Sequence, residues 1–374
     1  MAKMRRHPPD LLILCAVLIL LVIGVIAVGS AGTPESLKIT GGADPLYYGR
    51  KQLFYAITGV LLMFVAMRVD YHRLRRLTIP LSIITIASLA AVLLVGRDIS
   101  GAKRWIHLGF IQFQPSELAK LSLIFFLADY LAKLGRDVRN FTAGLLVPLI
   151  FTGIIAGLIM LEPDLGTTIA LLAIFGAMIF AAGVRMAHIV PLFLCVVLAV
   201  VPLVISEPYR LRRLTSFLDP YADPSGAGWQ SIQSLMALGS GGLFGMGLGR
   251  SRLKYFYLPE AHTDYIFAII GEELGLLGTL TILGLFLFLT WRGYRAALHA
   301  PDKYGCFLAV GITSYLVLQA VINIAVVTVT IPATGITLPL ISSGGTSLWI
   351  TLVSMGVLLN ISRSQETAEG VVPA

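Results

Sequence analysis

The chain has 374 residues, of which 57% are hydrophobic and 13% are charged. Soluble globular domains average about 45–50% apolar and about 25% charged residues, so this composition excludes an ordinary soluble protein. The formal net charge of +8 is attributed mainly to basic residues on the cytoplasmic side of a membrane, and it does not indicate a nucleic-acid partner.

Apolar runs of about twenty residues recur along the whole chain, which is the length that a helix needs to cross a bilayer of about 30 Å. They predict an all-α, polytopic integral membrane protein with ten transmembrane helices. The first run is longer than the roughly 7–15 residues usual for the apolar part of a signal peptide, so it is interpreted as a span. The predicted spans are residues 11–29, 53–67, 79–95, 116–131, 144–161, 167–182, 189–205, 265–290, 305–327 and 345–361.

The placement of Lys and Arg residues predicts the orientation. With the N-terminus in the cytoplasm, the inner segments hold most of these residues, and the short outer loops hold only Lys38, Arg50, Lys51, Arg97, Lys103 and Arg104. An even number of spans places the C-terminus in the cytoplasm as well. The chain is expected to form a single membrane-embedded domain over residues 1–374, with a long outer loop at 207–264 and a short cytoplasmic tail at 363–374.

The long outer loop breaks this charge pattern, because it carries Arg210, Arg212, Arg213, Arg250, Arg252 and Lys254. Long loops cross the membrane regardless of their charge, so the predicted topology is unaffected. Two interpretations are open. The loop is a solvated surface, or it is a basic face that binds an anion such as a phosphate-bearing headgroup or a lipid-linked substrate.

An ionisable pair is predicted inside the fourth span, in the segment Gln112-Phe-Gln-Pro-Ser-Glu-Leu-Ala-Lys120. Pro115 suits the first turn of a helix, where its missing N–H is not needed. Glu117 and Lys120 are three residues apart and therefore lie on one helical face. They form either a buried ion pair that holds helices together, or a pair that orients a catalytic group or binds a polar headgroup.

Two carboxylates lie in the short turn Glu162-Pro-Asp-Leu-Gly166, between the fifth and sixth predicted spans. The proline and the glycine explain the turn without any further role for the acidic residues. The alternative is that Glu162 and Asp164 together bind a divalent cation, since carboxylate oxygens are the ligands that hard cations prefer.

Three ionisable residues crowd together at the mouth of the eighth predicted span: Glu260, His262 and Asp264. Thr263 or Asp264 can cap the following helix, whose N-terminus adds positive potential. The density of ionisable groups exceeds what a cap needs, since Glu272 and Glu273 follow deeper in the span. A charge at the bilayer centre costs ~2.5–3.5 kcal/mol on insertion scales, and such residues usually serve transport or chemistry.

The last outer segment, Ile331-Pro-Ala-Thr-Gly-Ile-Thr-Leu-Pro-Leu-Ile-Ser-Ser-Gly-Gly-Thr-Ser347, follows a span that contains Asn323. Its prolines and its small or hydroxylated residues, among them Ser342, Ser343 and Thr346, predict a break in helical structure. Non-helical backbone at membrane depth is stable only where it lines a cavity or is buried in protein. The segment is interpreted as the polar floor of a substrate cavity, and an ordinary re-entrant turn is the alternative.

Several familiar catalytic motifs are absent or incomplete. Gly245-Met-Gly-Leu-Gly249 lacks the preceding strand and the spacing of a dinucleotide fingerprint, and Ser342-Ser-Gly-Gly-Thr346 lacks the lysine of a P-loop. Neither HExxH nor GxSxG occurs. The cysteines show neither metal-ligand spacing nor a disulfide framework. ATP hydrolysis, zinc proteolysis and serine hydrolysis are therefore unsupported.

Four segments together resemble the shape, elongation, division and sporulation family, which includes FtsW, RodA and SpoVE. They are FQPSELAKL, EPDLGTT, LGRSRLKYFYLPEAHTDYIFAIIGEELG and PATGITLPLISSGGTS. The resemblance extends over nearly the whole chain and follows the ten predicted spans in order. The third segment is more similar to FtsW and SpoVE than to RodA.

The resemblance implies a peptidoglycan glycosyltransferase that polymerises lipid II at the outer face of the bacterial cytoplasmic membrane, in cell division or sporulation. The 4-hydroxyl of one sugar attacks the anomeric carbon of the next, and undecaprenyl pyrophosphate leaves. The β-1,4 product forms with inversion of configuration, which needs one base and no covalent enzyme intermediate. The resemblance implies that Asp264 is this base.

The resemblance also implies roles for residues around the base. Glu117 and Lys120 match the family's intramembrane pair and are expected to position the Asp264 region. Arg104 and Trp105 match an outer-loop motif that contacts substrate or a partner. The other expected substrate-binding residues are Glu260, His262, Ser342, Ser343 and Thr346, with Arg210, Arg213, Arg250 and Lys254 as candidates to offset the charge of the leaving pyrophosphate. The sequence requires no cofactor, and a divalent cation, Mg²⁺ or Mn²⁺, is a further candidate for that charge.

The partners implied by the resemblance are lipid II as substrate and a monofunctional class B penicillin-binding protein that docks by its single membrane helix. Other membrane proteins of the division or sporulation complex are also implied. Two alternative functions remain open. One is a lipid II flippase, which would use the same polar cavity without chemistry, and the other is a scaffold that recruits the transpeptidase. Against a flippase, the sequence offers no matched pair of broken helices of the kind that inverted-repeat transporters show.

Overall fold

The computed structural model describes residues 8–99, 102–109, 111–205 and 207–364. Short turns of 3₁₀ or π helix at Arg75–Leu77, Gly135–Arg139, Phe141–Leu146 and Pro220–Ala222 join or extend some of the α-helices. Most of the predicted tail, residues 365–374, lies outside the described residues.

The described residues form fourteen α-helices, which are α1 (Leu11–Ala31), α2 (Thr33–Ile39), α3 (Tyr47–Arg68), α4 (Tyr71–Leu74), α5 (Thr78–Val95), α6 (Pro115–Leu134), α7 (Val147–Leu161), α8 (Leu165–Ala182), α9 (Met186–Ile205), α10 (Pro208–Leu218), α11 (Trp229–Ser240), α12 (Ile266–Leu298), α13 (Lys303–Val327) and α14 (Gly345–Ser362).

Ten of these helices correspond in order to the ten predicted spans. Within the described ranges, nine helices, taken with their adjoining turns, are long and apolar enough to cross a membrane. The tenth, α6, is outside this group because it carries four charged residues, Glu117, Lys120, Asp129 and Lys133. The first two of these residues are nevertheless buried by protein. The predicted all-α, polytopic membrane fold is confirmed.

The outward surface of the bundle is apolar, as lipid contact requires. Ile79 on α5, Leu94 on the same helix and Phe180 on α8 are each more than half exposed. Soluble monomers rarely leave such side chains exposed in continuous patches. By contrast, α13 and α14 lie in the interior, with 67% and 72% of their most apolar stretches buried. α13 packs against α6, α8 and α12, and α14 packs mainly against α3.

A small antiparallel sheet lies between α5 and α6. Its strands are β1 (Arg97–Ile99), β2 (Ala102–Leu108) and β3 (Ile111–Phe113), in the order β1-β2-β3. The sequence predicts only an outer loop here, because strands of three to seven residues are too short to show a clear alternation. The sheet places Arg104 and Trp105 on β2, next to the start of α6.

The predicted long loop at 207–264 is largely folded. It contains α10 and α11, and α11 packs against α12 and α13. Ser234 Oγ on α11 donates a hydrogen bond of 2.6 Å to the carbonyl oxygen of Val327, at the end of α13. Residues 241–258 then run along the first turns of α12 before the chain reaches Asp264. The loop therefore covers the end of the bundle that carries Asp264, which we call the Asp264 end.

Candidate active site

Asp264 lies two residues before α12 begins, at a half-buried position. Among the described residues, no side chain caps the N-terminus of this helix. Thr263 Oγ1 instead donates to the Glu260 carboxylate at 2.8 Å. The interpretation of Asp264 as a helix cap therefore does not apply, and its carboxylate is available for another task.

The backbone around Asp264 is held from α13 and from the segment that follows it. Asn323 Nδ2 donates to the carbonyl oxygens of Asp264 at 2.8 Å and Ile336 at 2.7 Å. Ser342 Oγ donates to the carbonyl oxygen of Thr263 at 2.7 Å and accepts from the backbone N–H of Leu338 at 2.8 Å. A fixed backbone on both sides gives the Asp264 carboxylate a defined place.

The segment 331–344 brings the carboxylate turn at 162–166 next to Asp264. A Cβ atom built on Gly335 would lie 3.5 Å from Asp264 Oδ2, so the carboxylate faces this glycine. One built on Gly166 would lie 2.4 Å from the carbonyl oxygen of Thr334. Arg213 of α10 also reaches this segment, because its Nη1 donates to the carbonyl oxygen of Ala333 at 2.9 Å. Three separate parts of the chain thus meet around one carboxylate.

The charges around Asp264 set its proton affinity. Burial raises the pKa of Asp264 to about 7, and the negative charges of Glu260 and Asp164 add to the rise. The positive charges of Arg213 and Arg104 act in the opposite direction on this pKa. A carboxylate whose pKa lies near the working pH is suited to accept a proton in a reaction.

Arg104 fixes the carboxylate turn to the small sheet. Its Nε donates to the carbonyl oxygen of Glu162 at 3.1 Å, and its Nη2 donates to that of Pro163 at 2.5 Å. Asp164 caps α8, since its carboxylate accepts from Thr167 N at 3.0 Å and from Thr167 Oγ1 at 2.8 Å. The turn therefore has a structural role that its proline and glycine alone do not supply.

Glu162 is the most isolated carboxyl group of the site. It is 1% exposed, and neither carboxylate oxygen has a hydrogen-bond partner among the described residues. Burial raises the pKa of Glu162 to about 8, with Asp164 adding to the rise and Arg104 opposing it. At neutral pH, Glu162 is therefore mainly a neutral acid.

The fit of a resident metal ion can be tested on the same residues. In the part of the chain that the structure describes, no group of three or more His, Cys, Asp or Glu residues is arranged to hold one. The carboxylate turn offers Glu162 and Asp164, and the Asp164 carboxylate is already engaged by Thr167. The described residues thus show no such group, and a divalent cation that arrives with a diphosphate stays a prediction.

The Glu117–Lys120 pair connects α6 to α13. Lys120 Nζ donates to Glu117 Oε1 at 2.8 Å and to Gln319 Oε1 at 3.2 Å, and Gln319 Nε2 donates to the carbonyl oxygen of Thr337 at 3.3 Å. The side chains of the pair are 7% and 3% exposed. The pair holds helices together and, through Gln319, also reaches the segment next to Asp264. Thr346 lies nearby, with its Oγ1 accepting from the backbone N–H of Gln114 at 3.4 Å.

The predicted basic residues of the long loop do not share one face. Arg213 lies at the site, whereas Arg210 Nη1 donates to the carbonyl oxygen of Leu203 at 2.8 Å, and Arg250 is exposed. Lys254 differs most from the expected pyrophosphate contact. Its side chain is 2% exposed, and its Nζ lies 3.0 Å from Glu273 Oε1. Lys254 is buried because its ammonium group pairs with the carboxylate of Glu273, nineteen residues later in the chain.

The remaining predicted residues lie at the rim of the site. His262 packs on Tyr48, with ring centroids 4.4 Å apart, and burial lowers the pKa of His262. Glu260 is exposed, and Trp105 is half-buried on β2. The backbone N–H of Ser343 donates to the carbonyl oxygen of His262 at 3.0 Å. Glu260, His262 and Ser343 are thus close to Asp264, and in the part of the chain that the structure describes no hydrogen bond joins these residues or Trp105 to its carboxylate.

The sequence and the fold were compared with known proteins. The family model of the cell cycle proteins FtsW, RodA and SpoVE matches residues 10–367. The chain belongs to this family. Its relatives include stage V sporulation protein E of Bacillus subtilis, which is 47% identical over 364 residues that cover 96% of this chain and 98% of the relative. Another is the probable peptidoglycan glycosyltransferase FtsW of Trichlorobacter lovleyi, at 42% identity over 96% of this chain and 94% of the relative.

Solved structures of the FtsW, RodA and SpoVE family share the fold. A chain of a peptidoglycan synthase complex that coordinates polymerization and crosslinking matches with a TM-score of 0.78 and 32% identity. It covers 96% of this chain and 98% of that chain. The rod shape determining protein RodA of Thermus thermophilus matches with a TM-score of 0.70 and 29% identity, over 96% and 98% of the two chains. The family resemblance in the sequence is confirmed.

The sequence interpretation misses one residue of the hydrogen-bond network around Lys120, which is Gln319. Gln319 joins Lys120 to Thr337, yet only Asn323 is singled out on that span. The signal is present in the sequence, because Gln319 and Asn323 are four residues apart and therefore lie on one face of the helix. Two amide side chains on one face of an apolar span indicate that this face contacts polar groups of the protein.

Proposed function

We propose that Asp264 acts as the general base when this chain, a peptidoglycan glycosyltransferase, polymerises lipid II into β-1,4 glycan strands. The names of the relatives, which include probable peptidoglycan glycosyltransferases, support the reaction. The 4-hydroxyl of the acceptor sugar loses its proton to Asp264 as its oxygen attacks the anomeric carbon of the donor. The bond to the diphosphate breaks, and undecaprenyl pyrophosphate leaves with the bonding electrons. One carboxylate is sufficient for such an inverting displacement.

The observation that carries the proposal is the setting of the Asp264 carboxylate. Asp264 is half-buried, and burial raises its pKa to about 7. Asn323 binds the carbonyl oxygen of Asp264, and Ser342 binds that of the preceding residue, Thr263. A general base works best when its pKa is close to the operating pH, because it is then both ionised and basic. Among the predicted site residues, this combination is found at Asp264.

Arg213 and Arg104 are the basic residues that we assign to the leaving diphosphate. Both are near enough to lower the pKa of Asp264, which means that their charge reaches the reaction centre. Fixed positive charge at the place where negative charge develops stabilises a transition state without reorganisation. A divalent cation bound to the diphosphate would add to this charge, and the roles of the two arginines do not depend on it.

The proposal places the Asp264 end at the outer face of the cytoplasmic membrane. The positive-inside distribution of Lys and Arg residues supports this orientation. We also propose a class B penicillin-binding protein as the partner, docked by its single membrane helix. The likeness to a chain of a complex that coordinates polymerization and crosslinking supports a partner that crosslinks.

The test uses purified protein in lipid vesicles with labelled lipid II, and it compares Asp264→Asn with the unchanged chain. We expect Asp264→Asn to lose polymerisation by at least about 10²-fold, the lower end of what a general base contributes. Glu207→Gln is the control, because Glu207 is an exposed carboxylate at the start of the same outer loop. Near-normal turnover of lipid II by well-folded Asp264→Asn would refute the base.

One observation bears on the flippase alternative. α12 is interrupted at Gly275, and transporters often have interrupted helices at the substrate site. Here, however, the backbone of residues 242–247 satisfies the groups freed at the interruption. The same vesicles separate the alternatives when they are assayed with and without the penicillin-binding protein. Polymer indicates an enzyme, movement of lipid II across the bilayer alone indicates a flippase, and neither result indicates a scaffold.

A further inference from the structure

The helix that follows Asp264 consists of two helices joined at Gly275. This residue has φ 67° and ψ −163°, a conformation that is essentially restricted to glycine. Residues 266–274 form the first helix, which we call the leading half, and residues 276–298 form the second. The leading half connects Asp264 to the body of the bundle, so its angle at Gly275 contributes to the place of Asp264, together with the hydrogen bonds from Asn323 and Ser342.

The glycine-rich run at 241–249, which we call the glycine segment, binds the backbone on both sides of the interruption. The N–H groups of Met246 and Gly247 donate to the carbonyl oxygens of Glu272 at 2.9 Å and Glu273 at 3.0 Å. On the other side, Leu276 N donates to Gly242 O at 2.9 Å, and Leu277 N donates to Leu243 O at 3.2 Å. An interrupted helix leaves such groups without partners, and in a membrane they must be satisfied by protein.

Small residues allow this contact. A Cβ atom on Gly245 would lie 2.2 Å from the carbonyl oxygen of Glu273, and one on Gly241 would lie 1.9 Å from that of Gly271. Side chains at these positions would separate the glycine segment from the leading half. The motif that looks like an incomplete dinucleotide fingerprint is therefore explained by backbone packing against α12.

The side chains of Glu272 and Glu273 bind the turn at residues 249–254, at the end of the glycine segment. Glu273 Oε1 accepts from Lys254 Nζ at 3.0 Å and from Ser30 Oγ of α1 at 2.6 Å. The Glu272 carboxylate accepts from the Ser251 hydroxyl and from the backbone N–H of Arg252, the latter at 2.8 Å. Lys254 Nζ also donates to Ser30 Oγ at 2.9 Å. The ion pair thereby joins the leading half, the turn and α1 at one point.

Burial makes this pair costly to form and costly to break. The side chains of Lys254 and Glu273 are only 2% and 3% exposed. Well-packed apolar residues often stabilise a fold as much as a buried ion pair does, so stability alone is a weak reason for its presence. An ion pair with several hydrogen bonds does, however, fix a geometry that apolar contacts leave free to slide.

We propose that the Lys254–Glu273 pair, with the glycine segment, fixes the angle of the leading half and so positions Asp264. The inference rests on the proposed function of Asp264 as the base. Lys254 and Glu273 are positioning residues, because they act on the reaction through the place of Asp264.

The size of the effect follows from geometry. A helix of nine residues is roughly 13 Å long, so a tilt of about 10° at Gly275 would move its far end by about 2 Å. Misplacement of a reacting group by about 1 Å can cost about 10²-fold in rate. A small loss of restraint at Glu273 is therefore enough to impair the reaction without unfolding the protein.

The test compares Lys254→Met and Glu273→Gln with a matched control on the same helix, Arg292→Met. Arg292 also forms an ion pair, with Asp10, which is partly buried and lies at the opposite end of the second half of α12. For lipid II polymerisation, we expect kcat to fall about 10²-fold in the first two variants, with KM changed by less than about threefold. Arg292→Met should keep kcat within about threefold of the unchanged chain, because it does not alter the place of Asp264.

A second measurement is independent of activity. Hydrogen exchange of the backbone amides at 266–274 should be faster in Glu273→Gln than in the unchanged chain, while exchange in α14 stays the same. A fall in kcat with unchanged exchange at 266–274 would overturn the proposal, and so would faster exchange with an unchanged kcat. If the single variants do not fold, the test uses the double variant Lys254→Glu with Glu273→Lys, in which the two charges are exchanged. Wild-type exchange at 266–274 in that variant supports the proposal, and fast exchange or a failure to fold overturns it.

The two proposals fail in different ways. If Asp264→Asn polymerises lipid II normally, the base assignment is wrong, whatever the exchange data show. If Asp264→Asn is inactive but Glu273→Gln is as active as Arg292→Met, the base stands and the positioning role is wrong.

Discussion

At the scale of single residues, two carboxyl groups near one another have different surroundings. Burial raises the pKa values of Asp264 to about 7 and of Glu162 to about 8. Asp264 is half-buried, and the charges of Arg213 and Arg104 oppose the rise of its pKa, so a large fraction of it is ionised at neutral pH. Glu162 is almost fully buried, and it stays mainly protonated. Burial therefore makes both carboxyl groups hold a proton more readily than an exposed carboxylate does.

The proposed role of Asp264 as the base predicts how the reaction depends on pH. We expect the initial rate at low lipid II concentration to rise with pH and to reach half its maximum near the pKa of about 7, because only the ionised carboxylate accepts a proton. Arg213→Gln removes a positive charge that lowers this pKa, so its half-maximum should move to higher pH. Arg210→Gln, on the same helix α10, is the control. A half-maximum that stays in place in Arg213→Gln would contradict the electrostatic account.

At the scale of the elements, the Asp264 end is assembled by close backbone contacts between segments distant in sequence. The carboxylate turn touches the segment after α13 at Gly166, and the glycine segment touches α12 at Gly275. Irregular backbone of this kind is stable at membrane depth because protein groups satisfy its N–H and C=O groups. These contacts leave little room for substitution, which gives a direct test.

Gly275→Ala tests the interruption of α12. The added Cβ would lie 2.4 Å from the backbone nitrogen of Gly245, and the φ of 67° is strained for any other residue. We expect a loss of roughly 1–3 kcal/mol from strain alone, seen as a lower melting temperature in detergent. Gly284→Ala, in the second half of the same helix, meets no atom within 4 Å and should not lower the melting temperature, because alanine favours a helix more than glycine does. Equal melting of both variants would show that the interruption is not required by the fold.

At the scale of the whole molecule, the bundle has an apolar surface and a polar interior at one end. Buried charges are tolerated there because they are paired, as Lys120 is with Glu117 and Lys254 is with Glu273. A membrane places each end of such a bundle in a different compartment. The proposed reaction requires that the Asp264 end face the outside, where the glycan is built.

Labelling of single cysteines tests this orientation. In a chain whose Cys15, Cys195 and Cys306 are replaced by alanine, Arg250→Cys and Arg136→Cys each introduce one exposed thiol, at opposite ends of the bundle. A membrane-impermeant maleimide added to intact cells should label the cysteine at position 250 at once, and the one at position 136 only after permeabilisation. The reverse pattern would place Asp264 in the cytoplasm and exclude the proposed reaction.

The sequence alone determined the features that depend on residue type and on short-range spacing. Apolar run lengths predicted the membrane fold and its ten long helices, because a bilayer imposes a minimum length on each span. The Glu117–Lys120 ion pair follows from a spacing of three residues on one helix. The position of Asp264 at the mouth of a span is likewise visible in the chain. Such features are local, so they do not depend on which segments later come together.

Only the tertiary structure decided which distant groups meet. It pairs Lys254 with Glu273 rather than leaving it on a basic face, joins Asn323 to Asp264, and separates Arg213 from the other basic residues of its loop. The interruption at Gly275 also becomes visible only when the glycine segment is seen to bind both sides of it. The physical reason is that burial gives each polar group a strong need for a partner, while the sequence does not state which partner the fold brings within reach.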